Sequence, residues 1–224
     1  AVGDVADWDF GRSVVKAAVE AFGDLHVLVN NAGALGDRAI VNMEEAEWDD
    51  IIRANLKGHF VPTRWAASYW RERSKAGESA DRAIIHTSST SGLIGNVGQA
   101  NYGAAKAGIA ALTLICAQEL RQYGVRTNAI APAARTRLTE AAPGLADIVR
   151  PPEEPGRFDI WDPSNVSPLA AALASSASDA NGRVFYIQGG TIRLFEPWAM
   201  DAMIDHDRRW TVEELVEEIP KLLS

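Results

Sequence analysis

Cysteine, long apolar runs and basic residues are all scarce in this chain. Its single cysteine, Cys116, cannot form an internal disulfide, so the fold does not depend on an oxidising compartment. No apolar run approaches the roughly 20 residues of a membrane-spanning helix, and the chain opens without the basic-then-apolar pattern of a signal peptide. There are 22 Lys and Arg residues against 30 Asp and Glu, a net charge of −8. We therefore expect a cytoplasmic protein that binds neither membranes nor nucleic acid.

The remaining composition is that of a globular protein. Apolar residues make up 47% of the 224 residues and charged residues 23%, a balance that argues against disorder, collagen or a coiled coil. The length suits one domain with a full core, or at most two small domains. The four histidines share no metal-ligand spacing, so no metal site is predicted.

Short apolar runs alternate along the chain with segments of helical period. Four runs are apolar on both faces, which is typical of buried parallel strands. The pattern predicts strands at 27–29, 83–86, 125–130 and 184–187, and helices at 7–22, 44–55, 56–73, 102–122 and 168–175. This alternation predicts an α/β fold with a doubly wound parallel sheet. We expect one domain over 1–190.

A C-terminal extension is predicted over 191–224. Its main feature is a capping box, in which Thr211 and Glu214 open a short amphipathic helix. Pro220 is expected to end that helix.

Tyr102 and Lys106 lie four residues apart in the longest predicted helix, so both side chains project from one face. Chance alone gives about 0.1 such pairs in a chain of this composition. The pair gains weight from its surroundings, because Ser88 and Ser89 end the strand that precedes it and three glycines lie between.

Four motifs follow one another along the chain. They are the turn Asn30-Asn31-Ala32-Gly33 after a strand, then Asn55, then Ser88-Ser89, and finally Tyr102-Gly103-Ala104-Ala105-Lys106. In this order they resemble the short-chain dehydrogenase/reductase family over about residues 4 to 190. The resemblance implies a Rossmann-like doubly wound sheet and an NAD(P)-dependent oxidoreductase that interconverts a secondary alcohol and a ketone.

The resemblance implies a catalytic set of Asn55, Ser89, Tyr102 and Lys106. A free phenol, with a pKa of about 10, is a poor base at neutral pH. The Lys106 ammonium and an oxidised nicotinamide together favour the phenolate, so that Tyr102 can take or return the substrate proton. Ser89 is expected to orient the substrate oxygen, and the backbone carbonyl of Asn55 to hold a water that relays protons to Lys106. The alternatives are a capping role for Ser89 and an ordinary polar role for Asn55.

The implied cofactor is NAD or NADP, with NAD preferred. Besides Tyr102 and Lys106, the residues expected to contact it are Asp4, Val5, Asn31, Ala32, Gly33, Pro132 and Thr136. The stretch from Pro132 to Thr136 corresponds to the family's Pro-Gly-x-x-x-Thr, with Ala133 in place of Gly. If that geometry needs a positive φ, Ala133 is strained.

The family's phosphate-binding turn, Gly-x-x-x-Gly-x-Gly, has no counterpart here, since no Gly-x-Gly occurs in the chain. Residues 2–5 read like the end of a strand. We therefore expect an N-terminal βαβ portion, with the phosphate-binding turn, upstream of Ala1, and an exposed sheet edge without it. The alternative is a non-catalytic scaffold or binding protein of the same fold that has lost dinucleotide binding.

The proline-rich segment 141–162 corresponds to the family's substrate-covering loop. Its apolar residues are candidates to line an acyl-sized pocket, with packing against the body as the alternative; they are Leu145, Ile148, Val149, Phe158 and Trp161. The C-terminal stretch also resembles the tail of dehydrogenases related to multifunctional β-oxidation enzymes. This implies a small-molecule substrate, a 3-hydroxyacyl-CoA or a steroid-related compound.

Helices 56–73 and 102–122 correspond to those that the family pairs across a dimer axis. A homodimer or homotetramer is therefore implied, and small residues would permit close approach in a symmetric interface. They are Ala66, Ala67, Ala110, Ala111 and Ala117. The alternative is that these alanines are buried within one chain.

Overall fold

A computed structural model describes residues 1–141, 144–154, 156–200 and 202–222. Within them, five strands form one sheet: β1 (Val27–Asn30), β2 (Arg82–Thr87), β3 (Val125–Pro132), β4 (Val184–Gln188) and β5 (Thr191–Phe195). The strands lie in the order β1-β2-β3-β4-β5. The first three pairings are parallel and the last is antiparallel. All four predicted strands are confirmed, and so is the α/β class.

Eight α-helices accompany the sheet in the described residues. They are α1 (Trp8–Phe22), α2 (Glu45–Ile52), α3 (Gly58–Lys75), α4 (Thr90–Leu93), α5 (Ala100–Glu119), α6 (Arg137–Ala141), α7 (Ser167–Ala174) and α8 (Val212–Leu222). Helix α1 begins as predicted, because the Asp7 carboxylate accepts a hydrogen bond of 2.7 Å from the Phe10 N–H. It ends at Gly23, whose φ of 84° is the left-handed conformation of a C-terminal cap.

Helices cover both faces of the sheet, which confirms a doubly wound arrangement. Consecutive residues of β2 point to opposite faces. Ile84 packs with Trp70 of α3 and with the C-terminal part of α5, whereas Ile85 packs with Leu169 and Leu173 of α7. Both isoleucines are almost completely buried, so their alternation is hidden in a continuous apolar run.

One long helical rod replaces the two helices predicted at 44–55 and 56–73. Helix α2 passes without a break into a π-helical turn, Arg53–Lys57, which continues into α3. A π turn adds a residue to the regular ladder and is common at functional sites. Here the turn carries Asn55, whose side chain is fully buried. Pro62 lies near the beginning of α3.

The two edges of the sheet differ. Strand β5 closes one edge by pairing along its whole length with β4, from Val184↔Phe195 to Gln188↔Thr191. Residues 191–195 therefore belong to the sheet, although we assigned them to the C-terminal extension. At the other edge β1 pairs only with β2, and Val29 is 50% exposed. The expected apolar edge is therefore present.

Helix α8 forms the end of the described chain. Its predicted capping box is confirmed, since Thr211 accepts from the Glu214 N–H at 3.2 Å and Glu214 accepts from the Thr211 N–H at 2.9 Å. Pro220 does not end the helix, which continues to Leu222. None of the described helices combines the length and the apolar character that a membrane-spanning segment needs.

Gly92 allows α4 to pack directly on α5 behind Lys106. A Cβ atom at this position would lie 2.4 Å from the Ala107 nitrogen and 2.6 Å from the Lys106 carbonyl carbon. We expect Gly92→Ala to lower the free energy of unfolding by about 1–3 kcal/mol, because backbone must move to make room. Gly190→Ala is the matched control, since no atom lies within 4 Å of its added Cβ. Denaturant unfolding of both variants checks this, and equal stability of the two would contradict it.

Candidate active site

A cavity of about 560 Å³ lies at the carboxyl ends of the first three strands, the place where doubly wound sheets bind ligands. Seven of the eleven predicted site residues line it: Asn31, Gly33, Asn55, Tyr102, Lys106, Pro132 and Thr136. The lining does not include Asp4, Val5, Ala32 or Ser89. Thus the structure brings most of the predicted set to one place.

Lys106 is held at the centre of this cavity by the end of β2. Its Nζ atom donates a 2.7 Å hydrogen bond to the Thr87 carbonyl oxygen, and the Ser88 hydroxyl donates 2.8 Å to the carbonyl of Lys106. The lysine is only 3% exposed. Burial disfavours the charged form and lowers the pKa of Lys106 to about 8. Strand and helix are therefore joined at Lys106.

Tyr102 stands beside Lys106, with the Nζ atom 5.4 Å from the centre of its ring. Burial raises the pKa of the Tyr102 phenol, a hydrogen bond with Ser89 lowers it, and the nearby Asp37 carboxylate raises it. We expected the ammonium and an oxidised nicotinamide together to favour the phenolate. In the chain alone, burial is the largest effect, because the phenolate is poorly solvated there.

Ser89 has the capping role that we gave as its alternative. It precedes α4 as its N-cap, and its Oγ accepts a 3.2 Å hydrogen bond from the Ser91 N–H. The same hydroxyl is near enough to the Tyr102 phenol to lower its pKa. Ser88 points away from the phenol toward the Lys106 carbonyl. Ser89, rather than Ser88, therefore faces the expected proton donor.

Asn55 ties the π turn to the turn after β1. Its Nδ2 atom donates to the carbonyls of Ala34, at 2.9 Å, and Ile51, at 3.0 Å. A Cβ atom on Gly33 would lie 2.5 Å from the Asn55 Oδ1 atom, so this close approach requires glycine. The Oδ1 atom is buried and has no protein hydrogen-bond partner. It is the kind of orphaned acceptor that a bound polar group or water satisfies.

Two fully buried histidines lie behind the cavity, with ring centres 5.7 Å apart. His59 donates from Nδ1 to the Asn55 carbonyl at 2.7 Å, and its Nε2 accepts from the Thr87 N–H at 3.3 Å. His86 accepts at Nδ1 from the Asn30 amide at 3.2 Å. Burial, with the Lys106 charge nearby, lowers the pKa of His59 to about 4 and that of His86 to about 3. Both rings are therefore neutral at physiological pH.

Asp4 and Val5 sit outside the cavity. The Asp4 carboxylate accepts from the Ala6 N–H at 2.8 Å and pairs with Arg53. The backbone bond first, and then the Arg53 guanidinium, lower the pKa of Asp4. The carboxylate thus has protein partners already, and its expected contact with the cofactor stays a prediction.

Thr136 lines the cavity and also precedes α6, where its Oγ accepts from the Thr139 N–H at 3.2 Å. It is the fourth residue after Pro132, whereas Thr is the fifth in the family stretch, where this chain has Arg137. Ala133 is not strained, since every described non-glycine residue has a negative φ.

The substrate-loop prediction needs correction. Residues 142, 143 and 155 lie outside the described part of the chain. None of the five candidate apolar residues lines the cavity, and Val149 is buried. Arg135 holds the loop to the body, because it pairs with Asp159 and donates 2.8 Å to the Val149 carbonyl. The apolar wall comes instead from residues before and after the loop, chiefly Leu138 and Val166.

The charge of the cavity indicates an anionic ligand. Among its lining residues the charged side chains are Lys106 and Arg137, with no carboxylate. The two cations suit the anionic diphosphate of a dinucleotide, and the orphaned Asn55 Oδ1 atom can accept a hydrogen bond from a bound polar group. Tyr102, Lys106, Asn31, Pro132 and Thr136 are the residues placed to hold it.

Comparison with known proteins decides the family. The short chain dehydrogenase family model matches residues 1–143. The chain belongs to this family. It is 42% identical over 217 residues to hydroxyacyl-CoA dehydrogenase ChsB1 of Mycobacterium tuberculosis, covering 95% of this chain and 67% of that protein. It is 37% identical to the peroxisomal multifunctional enzyme type 2 of Mus musculus, covering 84% of this chain and 24% of the relative.

Solved structures agree with this family assignment. A short chain dehydrogenase from Mycobacterium avium superposes with a TM-score of 0.87 at 50% identity, covering 98% of this chain and 71% of that one. The full-length peroxisomal multifunctional enzyme type 2 of Drosophila melanogaster superposes with a TM-score of 0.74 at 27% identity, covering 99% of this chain and 36% of that one. The chain thus spans only part of these relatives.

We did not predict from the sequence that Thr87, His59 and His86 contribute to this site. We set the histidines aside because they share no metal-ligand spacing. A better signal was present, since His59 follows Asn55 by four residues and therefore lies above it on one helix face. Thr87 contributes backbone atoms, for which its side chain gives no signal.

The two buried histidines make the fold sensitive to acid. Their native pKa values of about 4 and about 3 lie below the value of about 6.5 for an unfolded chain. Below pH ~6.5 the unfolded state binds more protons, so the stability present above this pH is lost progressively toward the native pKa values. We expect the free energy of unfolding to fall by about 2–4 kcal/mol between pH 7 and pH 5. Denaturant titrations at both pH values measure it.

Two variants control this measurement. His59→Gln with His86→Gln removes both titrating rings and should flatten the pH dependence. Thr113→Val removes a buried 2.8 Å hydrogen bond to the Ile109 carbonyl without removing a titrating group, and should keep it. A double glutamine variant with the wild-type pH dependence would show that other groups cause it.

Proposed function

We propose that this protein is an NAD(P)-dependent dehydrogenase that interconverts a secondary alcohol and a ketone in the cytoplasm. The observation that carries the proposal is the convergence of Tyr102, Lys106 and Asn55 on one cavity, with the Ser89 hydroxyl near enough to the phenol to lower its pKa. Membership of the short-chain dehydrogenase family supports it. The bound dinucleotide supplies the hydride acceptor or donor.

Each residue of the set has a separate task in this proposal. The Tyr102 hydroxyl exchanges a proton with the substrate oxygen, and the Ser89 hydroxyl donates to the same oxygen as charge develops on it. Lys106, fixed by the Thr87 carbonyl, places a positive charge beside the phenol and favours its ionised form. Asn55 holds the turn that forms one wall of the cavity.

The proposed substrate is a 3-hydroxyacyl-CoA or a related acyl or steroid side-chain compound. The names of two relatives, a hydroxyacyl-CoA dehydrogenase and a peroxisomal multifunctional enzyme, support this class. The cavity adds apolar wall residues, Leu35, Leu138 and Val166, and the exposed cation Arg137. Such a surface suits an apolar chain that carries anionic groups.

Tyr102→Phe is the direct test of the reaction, because it removes the transferable proton and keeps the ring. We expect kcat to fall by at least about 10²-fold, the usual scale for an acid–base group. Turnover of secondary alcohols and 3-hydroxyacyl-CoA esters with NAD and NADP is measured by nicotinamide absorbance. Tyr186→Phe, which removes a phenol that bonds to Gln188 and does not line the cavity, is the matched control. Equal, measurable kcat in wild type and Tyr102→Phe would remove Tyr102 from the reaction, and no turnover by the wild type would leave the scaffold alternative.

We also propose that the protein forms a homodimer or homotetramer through the groove between α3 and α5. Three of the five alanines that we expected at the interface are buried within the chain, namely Ala66, Ala110 and Ala117. The groove instead presents Phe60, 42% exposed, and Ile115, 51% exposed. These apolar side chains favour a second copy as the occupant, because a symmetric interface covers the same patch on both chains.

Ile115→Arg tests the interface. A guanidinium in the centre of an apolar contact costs more than the contact provides, so we expect this variant to be monomeric at micromolar concentration. Val41→Arg, at an exposed apolar residue outside the groove, is the control and should keep the assembly. Sedimentation or light scattering measures the oligomeric state of each protein, and a monomeric wild type would contradict the proposal.

A further inference from the structure

His59 is a fully buried titratable residue that the proposed mechanism leaves without a role. Its ring touches two backbone groups that come from different parts of the fold. One is the Asn55 carbonyl in the π turn, and the other is the Thr87 N–H at the end of β2. Both groups adjoin residues that line the cavity.

The bond to Asn55 adds a side-chain donor to a carbonyl of the π turn that also accepts from the Gly58 N–H. The π turn Arg53–Lys57 interrupts the regular hydrogen-bond ladder of the surrounding helix. The His59 Nδ1–H lies 2.7 Å from this carbonyl oxygen and so sets its direction. The same oxygen is the one that the family resemblance assigns to a proton relay. Its position therefore matters beyond helix stability.

The bond to Thr87 acts on the anchor of the catalytic lysine. The Ser88 N–H points to β3, where it donates to Ile130, so the Thr87 N–H points to the opposite side. Strand β1 ends at Asn30, opposite His86, and supplies no partner there. The His59 Nε2 atom takes this N–H at 3.3 Å. The Thr87 carbonyl then accepts from Lys106 Nζ at 2.7 Å.

We propose that His59 is a positioning residue of the reaction, whose ring joins the Asn55 carbonyl to the Thr87 backbone and thereby holds Lys106 beside Tyr102. This inference rests on the proposed function for its effect on turnover. A neutral imidazole suits the task, because it donates at one nitrogen and accepts at the other.

The surroundings keep the ring in that state. The titratable groups that face it are Lys106 from α5 and His86 from β2. The remaining neighbours are neutral backbone and amide groups, with no carboxylate among the causes of its lowered pKa. Protonation would place a second N–H on the ring, facing the Thr87 N–H, although the Asn55 carbonyl is the one acceptor at this site. The neutral tautomer with its proton on Nδ1 is therefore the form that makes both hydrogen bonds.

Three substitutions separate the two bonds. His59→Asn keeps a donor near the Nδ1 position and loses the acceptor for Thr87. His59→Gln keeps an acceptor near the Nε2 position and loses the donor to Asn55. His59→Leu removes both while keeping an apolar side chain of similar reach. Thr113→Val is the control for general loss of a buried hydrogen bond on α5, away from the cavity.

Two readouts are measured on each variant. The first is the pH profile of kcat for alcohol oxidation, with KM for the alcohol. The second needs no turnover: the ultraviolet titration of the Tyr102 phenol, obtained by subtracting the same titration in the Tyr102→Phe background. Thermal unfolding shows that each variant is folded.

In His59→Leu we expect the apparent pKa of oxidation and the pKa of the Tyr102 phenol to rise together, by at least about 0.5 unit, because Lys106 is held less closely. We expect kcat at neutral pH to fall about tenfold, with KM nearly unchanged. The Asn and Gln variants should show smaller shifts in the same direction, and Thr113→Val none.

The inference is overturned if folded His59 variants titrate like wild type in both readouts, or if Thr113→Val shifts them equally. If His59→Leu does not fold, the Asn and Gln variants decide by the same criteria. Failure of the proposed function has a different signature, since no alcohol is then oxidised by the wild type while the phenol titration still responds to His59.

Discussion

The hydrogen bond from Lys106 Nζ to the Thr87 carbonyl is the contact on which the site depends. It joins α5 to the end of β2, and it forms only because the packing of both elements places the Lys106 Nζ atom within reach of this carbonyl. Gly92 sets the depth of α5 by letting α4 pack against the lysine's own backbone. Ser88 fixes the lysine's carbonyl from the strand side. Burying an ammonium costs free energy unless it is hydrogen-bonded, and these contacts keep the Thr87 carbonyl in place as its acceptor.

The turn after β1, on the other side of the cavity, is also held by contacts with the end of β2 and with the helical rod. Asn31 accepts from the Thr87 hydroxyl at 3.0 Å, so this turn and the end of β2 are braced together. Gly33 permits the Asn55 side chain to fit beneath the turn. The residues that we assigned to cofactor contact therefore also brace the sheet. A wall that must stay close to a ligand is built from the same contacts that keep the strands in register.

Much of this could be predicted from sequence because the informative signals are local. The apolar runs of β1 to β4 and the Tyr102–Lys106 spacing each need only a few neighbouring residues. Strand β5 was missed because its exposed outer side gives no buried apolar run. The partners of Lys106 and His59 were missed for another reason. They are backbone atoms, which no side chain marks, and those of Thr87 are brought near by packing between distant segments.

The π turn between α2 and α3 makes the site depend on the number of residues in the turn as well as on which residues they are. The turn accommodates one residue more than a regular α-helical turn would hold. Deleting one residue between Arg53 and Lys57 would therefore restore a regular helix and remove the bulge that carries Asn55. The Asn55 side chain and carbonyl would then leave the positions from which they bond to Ala34 and His59. Homologous chains with this arrangement should thus tolerate changes of side chain in the turn more readily than a change in its number of residues.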